Sequence, residues 1–445
     1  MTQQWPSLPS FLPANGRPLA PFDDTDHEAE AELHQALIRD LDDAVIGKLS
    51  HDRARELVDR AARRVATEQL PRLVGDAKEL AVAHVVDEIV GFGPLEPLLR
   101  DDSVSEIMVN APAEVFFERD GLLFESDVVF RDEAHVMRII DRIVAALGRH
   151  VDEASPMVDA RLPDGSRVNI IIPPLTPRSP TITIRKFRTD RYNIKDLIAI
   201  GSLSAGTAEL LEACVRSKLN IVVSGGTGTG KTTMLNALSA FIPSGERIVT
   251  IEDPVEMKLQ QRHVVSMEAR PPSAEGRGEV TQRDLVRNAL RMRPDRIIVG
   301  EVRGAEAFDM MQAMNTGHEG SLTTVHSNSP RDALARIENM LLMGGFELPI
   351  TAVREQMASA LHVIIQLARL SDGTRRVTHL TEVAGMEGNV VTLQDIFTYH
   401  QQGIDRDGRV IGELRPTGLR PAFVQRAKEF GIELPPEIFG VGRWA

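Results

Sequence analysis

Nine residues decide the fold of this chain, and they read GGTGTGKTT at 225–233. The apolar run Ile221–Val223 precedes them and a helical pattern follows. Glycines let backbone N–H groups wrap a phosphate where side chains would block the approach. A helix that begins near Lys231 adds its positive end. The pattern G-x-x-x-x-G-K-[ST] between a strand and a helix therefore predicts a nucleotide-phosphate site.

All nine residues of this loop are predicted to bind the nucleotide: Gly225, Gly226, Thr227, Gly228, Thr229, Gly230, Lys231, Thr232 and Thr233. Lys231 is expected to reach the β- and γ-phosphates, and the Thr232 hydroxyl to ligate Mg²⁺. ATP and Mg²⁺ are thus the predicted cofactors. Gly226 stands where the deviant loops of DNA-partitioning proteins carry a second lysine, which argues against that relationship.

Two apolar strands that end in carboxylates supply the candidate catalytic acids. Residues 297–300 run into Glu301, and a glutamate at this place suits a base that polarises water. Residues 248–251 run into Glu252, which we expect to hold the water shell of the metal or to support the base. The predicted metal-site residues are therefore Thr232 and Glu252.

Two histidines flank the strand-like run 322–325, namely His318 and His326. Either one could contact the γ-phosphate or relay its loss, and the residues do not choose between them. A histidine of this kind is more often a structural residue than a catalytic one. No cysteine or paired-histidine spacing supports a zinc site.

The chain alternates apolar strand cores with helical segments from about 191 onward, which predicts an α/β fold with a mostly parallel sheet. We divide it into a flexible tail (1–27), a helical bundle (28–90), an α+β domain (91–188) and the nucleotide-binding domain (189–445). Asp52 is predicted to cap the second bundle helix. The bundle is interpreted either as a solvated cap or as a docking module for a partner. The segment 401–445 is only weakly patterned.

Composition limits the partners of the 445-residue chain. Its formal net charge is −13 and only 4% of its residues are aromatic, so nucleic acid is an unlikely partner. Cys214 is the one cysteine, which excludes a disulfide framework within the chain. There is no signal sequence and no apolar run of 18 residues. We therefore predict a cytoplasmic protein that associates peripherally with the inner membrane through partner proteins.

Further motifs resemble those of the secretion-ATPase superfamily, which powers type II secretion, type IV secretion and type IV-like pili. In that family GGTGTGKTT is similar to the Walker A motif. IVTIEDPVE (248–256) resembles the Asp box, RIIVGEVRG (296–304) the Walker B motif and TGHEGSLTTVHSNSP (316–330) the His box. Phrases such as VSEIMVNAP (104–112), RLPDGSRVNIIIPPL (161–175) and VAGMEGNVVTLQDIF (383–397) resemble the tight-adherence (Flp) pilus branch, of CpaF/TadA type.

This resemblance implies a homo-hexamer whose subunits carry a PAS-like α+β domain and a RecA-like motor domain, joined by a linker near 188–195. ATP would lie between the domains and near the next subunit. Arginines of the N-terminal domain or of a neighbour would reach it, and Arg161, Arg167 and Arg185 are the candidates. A guanidinium suits the transition state because its planar donors bind phosphoryl oxygens bidentately.

The predicted function is that of a hexameric Mg-ATP-hydrolysing motor. It would power assembly of a tight-adherence or type IV-like pilus, with retraction left open, by driving an inner-membrane platform that acts on pilins. Two alternatives stay open. One is a type IV secretion ATPase for protein or DNA, and the other is a slow nucleotide-dependent switch that times assembly.

Overall fold

The computed structural model describes residues 24–40, 49–119, 121–145, 150–187, 192–272, 277–345 and 348–440. The chain divides into two compact units, Met1–Thr189 and Asp190–Ala445. The predicted tail lies outside the described residues except for its last positions, where the first helix begins. The first part of the predicted linker, 188–191, also lies outside them. Within these ranges, no helix has both the length and the apolar character needed to cross a bilayer.

In the described part of the first unit, three helices come first: α1 (Asp24–Asp40), α2 (His51–Gln69) and α3 (Gly75–Val90). Their apolar stripes meet in a core that includes Leu33, Leu37, Val58, Val65, Val82 and Val85. Ser50, rather than Asp52, occupies the N-cap position of α2. Asp52 lies in the first turn of that helix, where a negative charge also interacts favourably with the helix dipole.

The remainder of the first unit is an antiparallel sheet with the strand order β3-β2-β1-β6-β5-β4. Its strands are β1 (Val104–Ala111), β2 (Glu114–Arg119), β3 (Leu122–Glu125), β4 (Met157–Arg161), β5 (Arg167–Ile171) and β6 (Thr181–Arg185). Helix α4 (Glu96–Arg100) precedes the sheet, and α5 (Glu133–Ala145) follows β3. The predicted apolar face of α5 is buried in the core of this sheet, through Val136, Ile139, Ile140 and Ile143.

The bundle is tied to the start of the α+β region by a buried carboxylate. Asp87 on α3 is 3% exposed. It accepts a hydrogen bond from Arg55 at 2.5 Å and another from Arg100 on α4. A buried carboxylate needs such pairing, because removing its charge from water is costly. Bundle and sheet accordingly lie in one compact unit.

The second unit contains a nine-stranded sheet with the order β15-β14-β13-β12-β7-β11-β10-β8-β9. The strands are β7 (Ile221–Gly225), β8 (Ile248–Glu252), β9 (Val264–Glu268), β10 (Arg296–Val299), β11 (Leu322–Val325), β12 (Val363–Arg369), β13 (Arg375–Glu387), β14 (Val390–Ile404) and β15 (Val410–Pro416). The six strands from β12 to β9 pair in parallel, and β13 to β15 extend them antiparallel. The predicted α/β, RecA-like class is confirmed.

Helices cover both faces of this sheet: α6 (Ile194–Ala199), α7 (Ala205–Arg216), α8 (Lys231–Ser239), α9 (Gln282–Ala289), α10 (Glu306–Asn315), α11 (Pro330–Met343), α12 (Ile350–Ala360) and α13 (Val424–Glu429). Successive strand residues enter different cores. Ile221 and Val223 pack in one core and Val222 in the other. Burial on both faces explains why these strands are continuous apolar runs in the sequence.

Candidate active site

The phosphate loop connects β7 to α8 at the carboxyl end of the parallel sheet. Gly228 and Gly230 have φ angles of 70° and 92°, in the left-handed region that favours glycine. Gly225 has a different constraint. A Cβ atom there would lie 2.8 Å from the Leu367 carbonyl oxygen and 2.5 Å from Thr229 Oγ1. The glycines predicted from the sequence are therefore required by backbone conformation and by close packing.

Lys231 lies over the first residues of the loop. Its Nζ donates to the carbonyl oxygens of Gly225 at 3.0 Å and Gly226 at 2.9 Å. Thr229 Oγ1 also donates to the Gly226 carbonyl, at 2.9 Å. These contacts hold the loop in a compact arc with the ammonium group at its mouth. An ammonium group at this position can bind phosphate oxygens.

A second carboxylate in the Asp-box segment faces the predicted magnesium ligand. The Thr232 hydroxyl donates to Glu256 Oε2 at 3.4 Å. Mg²⁺ prefers oxygen ligands and is usually held by one or two protein groups together with substrate phosphates, so this pair fits the ion. Among the described residues, no cluster of three His, Cys, Asp or Glu side chains forms a metal site by itself. Sequence reasoning missed Glu256, although it closes the quoted motif.

Glu252 fixes the position of Glu256 through hydrogen bonds to the backbone. It is 3% exposed, and its Oε1 accepts hydrogen bonds from the backbone N–H groups of Glu256 and Met257, both at 2.9 Å. A Cβ atom on Gly300 would lie 2.9 Å from Glu252 Cγ, so the end of β10 leaves room for this carboxylate. Glu252 thus anchors the turn that presents Glu256.

Glu301 follows β10 at the same edge of the sheet. Its Oε2 accepts from Arg303 Nη2 at 2.7 Å and from Arg303 Nε at 3.0 Å. Burial would lower the pKa of Arg303. The hydrogen bond to Glu301 and the charges of Glu301, Asp253 and Glu256 nevertheless raise it above its ordinary value. Arg303 therefore lies among the carboxylates and fixes the orientation of Glu301.

His326 lies beside the loop, at the carboxyl end of β11. Burial lowers the pKa of His326, and the positive charges of Lys231 and Arg336 lower it further. These effects favour the neutral imidazole. The next residue, Ser327, shares a 2.5 Å hydrogen bond with Ser224 on the phosphate-loop strand. His326 is thus adjacent in sequence to Ser327, which bonds the phosphate-loop strand directly.

His318 lies at the other edge of the sheet. Gly320 N donates to the Asn220 side chain at 2.8 Å, and Asn220 precedes β7. The β11–β7 register then runs from Leu322 opposite Ile221 to Val325 opposite Ser224. Four residues of strand span roughly 13 Å. Of the two predicted histidines, the structure brings His326 to the phosphate loop and places His318 at the amino edge.

The three candidate arginines of the first unit form a row across its sheet. Arg161 is opposite Arg167, and Arg167 is opposite Arg185. Glu106 is opposite Arg185, with Nε and Oε1 4.0 Å apart. Directly opposite residues on antiparallel strands share a face, and like charges placed there destabilise the sheet. The row therefore groups three guanidinium side chains on one face of the sheet.

The comparisons with known proteins identify the family. Residues 88–414 match the family described as Type II/IV secretion system protein. The chain belongs to this family. Its predicted superfamily membership is therefore confirmed, and the chain is an ATPase that uses a nucleotide. Its assignment to the tight-adherence pilus branch stays a prediction.

Several relatives resemble the chain over most of its length. A putative conjugal transfer protein of Mycobacterium tuberculosis is 38% identical over 350 residues, which cover 77% of this chain and 98% of the relative. The type IV secretion system protein VirB11 of Bartonella henselae is 32% identical, over 64% of this chain and 90% of the relative. The crystal structure of the VirB11 ATPase of Brucella suis is 29% identical, with a TM-score of 0.35, covering 64% of this chain and 94% of that one.

Proposed function

We propose that this ATPase is the hexameric motor of a type IV secretion-type machine that moves protein or DNA across a membrane. The observation that carries the proposal is the similarity to relatives named as conjugal transfer and type IV secretion proteins, over 64% to 77% of the chain. The acidic net charge of −13 argues that any DNA would be moved through partner proteins rather than bound by this chain.

ATP is proposed to bind at the phosphate loop. Residues 225–233 would hold its phosphates, with Lys231 at the mouth of the loop. Thr232 and Glu256 would hold Mg²⁺, supported by the turn that Glu252 anchors. When bound, the ion supplies charge neutralisation at the phosphoryl oxygens. Glu301, oriented by Arg303, would position the attacking water and accept its proton.

The arginine row of the first unit is proposed to close on the γ-phosphate, from the same subunit or from a neighbour in the ring. Arg161, Arg167 and Arg185 lie in register on one face and would present several planar donors together. Neutral His326 would contact the γ-phosphate and transmit its loss through Ser327 to Ser224. Closing and reopening of the units would convert hydrolysis into movement.

The proposal can be tested in cells that carry the matching secretion machine, with the Glu301→Gln protein replacing the native one. We expect the variant to assemble with its inner-membrane partners and to bind ATP, while transfer of protein or DNA falls below a tenth of the native level. Transfer at the native level would contradict the proposal. Native mass spectrometry with Mg-ATP tests the hexamer separately.

A second candidate function is the assembly of a tight-adherence pilus, with inner-membrane platform proteins and pilins as partners. Segments 104–112, 161–175 and 383–397 favour it, because they resemble that branch. The same Glu301→Gln cells distinguish the two functions. Loss of pilin from sheared surface material with unchanged transfer would favour the pilus. Turnover below about one ATP per minute with the membrane partner present would instead favour a slow switch.

A further inference from the structure

The hairpin formed by β12 and β13 brings two arginines beside the phosphate loop. Arg375 Nε donates to the Gly228 carbonyl oxygen at 2.7 Å. Its Cδ lies 3.6 Å from the position that a Cβ atom on Gly230 would take. Arg369 Nη1 lies 4.0 Å from the corresponding position on Gly228. Arg375 therefore contacts the loop through the Gly228 carbonyl, and Arg369 lies beside the same glycine.

The hydrogen bond from Arg375 to the Gly228 carbonyl also sets the direction of the Thr229 N–H group. A peptide unit is planar and trans, so its C=O and N–H groups point in opposite directions. Holding the Gly228 carbonyl toward Arg375 therefore turns the Thr229 N–H away from the hairpin, where it is available to the phosphates that such a loop wraps. The guanidinium charge also strengthens this hydrogen bond, since charge-assisted bonds are about twice as strong as neutral ones.

The position of Arg375 is itself fixed by a tight turn. Asp372 Oδ1 accepts from Thr374 N at 2.9 Å and from its hydroxyl at 2.6 Å. Asp372 Oδ2 accepts from Val410 N, at the start of β15, at 2.8 Å. The hairpin is thus braced against the antiparallel extension, and Arg375 extends from a rigid support rather than from a loose loop.

We propose that Arg375 is a positioning residue for nucleotide binding, which aims the Thr229 N–H into the phosphate loop by holding the Gly228 carbonyl. This inference rests on the proposed placement of ATP at residues 225–233. It assigns a role in affinity to a residue outside every motif quoted from the sequence. Arg375 does not touch the reacting atoms, so its removal should weaken binding much more than the chemical step.

The test compares Arg375→Met with Arg376→Met in the full chain. Methionine keeps the apolar stem of arginine and removes its donors. Arg376 is a matched control, because it is the next residue on β13 and also donates to a backbone carbonyl, that of Ile200 at 2.8 Å. Titration calorimetry with Mg-ADP gives the Kd, steady-state kinetics with Mg-ATP separate KM from kcat, and thermal melting monitors folding.

We expect Arg375→Met to raise the Kd for Mg-ADP and the KM for ATP about tenfold, with kcat within threefold of the native value. Arg376→Met should change Kd less than twofold, at a comparable melting temperature. Arg375→Lys should recover at most a third of the loss, because its ammonium cannot reproduce the Nε geometry. Should Arg375→Met not fold, a Kd at least threefold weaker in Arg375→Lys supports the proposal.

Two outcomes would overturn the inference. One is an Arg375→Met protein that binds Mg-ADP as tightly as Arg376→Met does. The other is full recovery by Arg375→Lys, which would assign the effect to charge alone. Lys231→Ala tests the underlying placement of ATP independently. If Lys231→Ala abolishes binding while Arg375→Met has no effect, the inference fails and the proposed function stands.

Discussion

The two edges of the parallel sheet in the second unit use polar side chains in different ways. At the carboxyl edge, Lys231, Glu256, Glu301 and His326 surround a glycine loop. At the amino edge, buried polar groups pair with one another and with backbone. Arg296 there is fully buried and bonded to Glu246 at 2.5 Å. The proposed chemistry of this unit is thus assigned to one edge, while polar pairs at the other edge stabilise the fold.

Replacing the proposed base should give the largest effect. This effect should be confined to the site at the carboxyl edge. Glu301→Gln keeps the shape of the side chain and removes its ability to accept a proton. We expect kcat to fall by about 10²–10³-fold, with the Kd for Mg-ADP changed less than threefold. Single-turnover hydrolysis and calorimetry measure the two quantities. A kcat within threefold of the native value would remove Glu301 from the role of base.

At the amino edge, loss of a charge partner should affect stability instead. Arg296→Met leaves Glu246 largely buried without its guanidinium partner. We expect the free energy of unfolding to fall by about 3 kcal/mol, measured by urea denaturation, while the folded fraction binds Mg-ADP normally. The double variant Arg296→Met, Glu246→Leu should recover part of this loss. A single variant as stable as the native protein would show that the pair contributes little.

The amino edge should also be sensitive to acid through His362. Burial, and then the charge of Arg426, lower the pKa of His362 to about 4, so the folded state holds it neutral. Its stabilising contribution is present above pH 6.5, the ordinary histidine value, and is lost as the pH falls toward 4. We expect native stability relative to His362→Gln to decrease by about 2 kcal/mol over that range. Parallel pH profiles would refute this.

The smallest expected effect is a difference in kcat between variants of the two histidines of the His-box segment. His326→Ala should lower kcat about tenfold, because His326 lies at the loop and is linked to it through Ser327 and Ser224. His318→Ala should change kcat less than threefold, since His318 lies at the amino edge. Steady-state ATPase assays on both variants make the comparison. A larger loss from His318→Ala would mean that it acts at another subunit's site.

Much of the second unit could be predicted because its signals are local. The apolar runs at 221–223, 248–251, 296–299, 322–325 and 363–367 all became strands, since parallel strands buried on both faces need continuous apolar residues. Strands β9, β14 and β15 were not predicted. They lie toward the edges of the sheet, where half-exposed residues blur the pattern.

Residues of the site escaped prediction when their role depends on distant pairing. Glu256 is revealed by its contact with Thr232, which lies 24 residues away in the chain. Arg375 reaches the loop because β12 lies beside β7. Arg375 and Gly228 are 147 residues apart in the chain, so no local motif predicts their contact. The separation of His318 from His326 was implicit in the sequence, since a strand between two residues carries them to opposite edges of its sheet.

The contact between Gly300 and Glu252 has a consequence for how this family can change over time. The last residue of β8 occupies the space that a side chain at 300 would need. A substitution at either position therefore alters what the other can tolerate, so the two positions should covary among descendants. Gly300→Ala should be harmful in the native background and less so beside Glu252→Ser. The Asp box and the Walker B motif are thus constrained to evolve together.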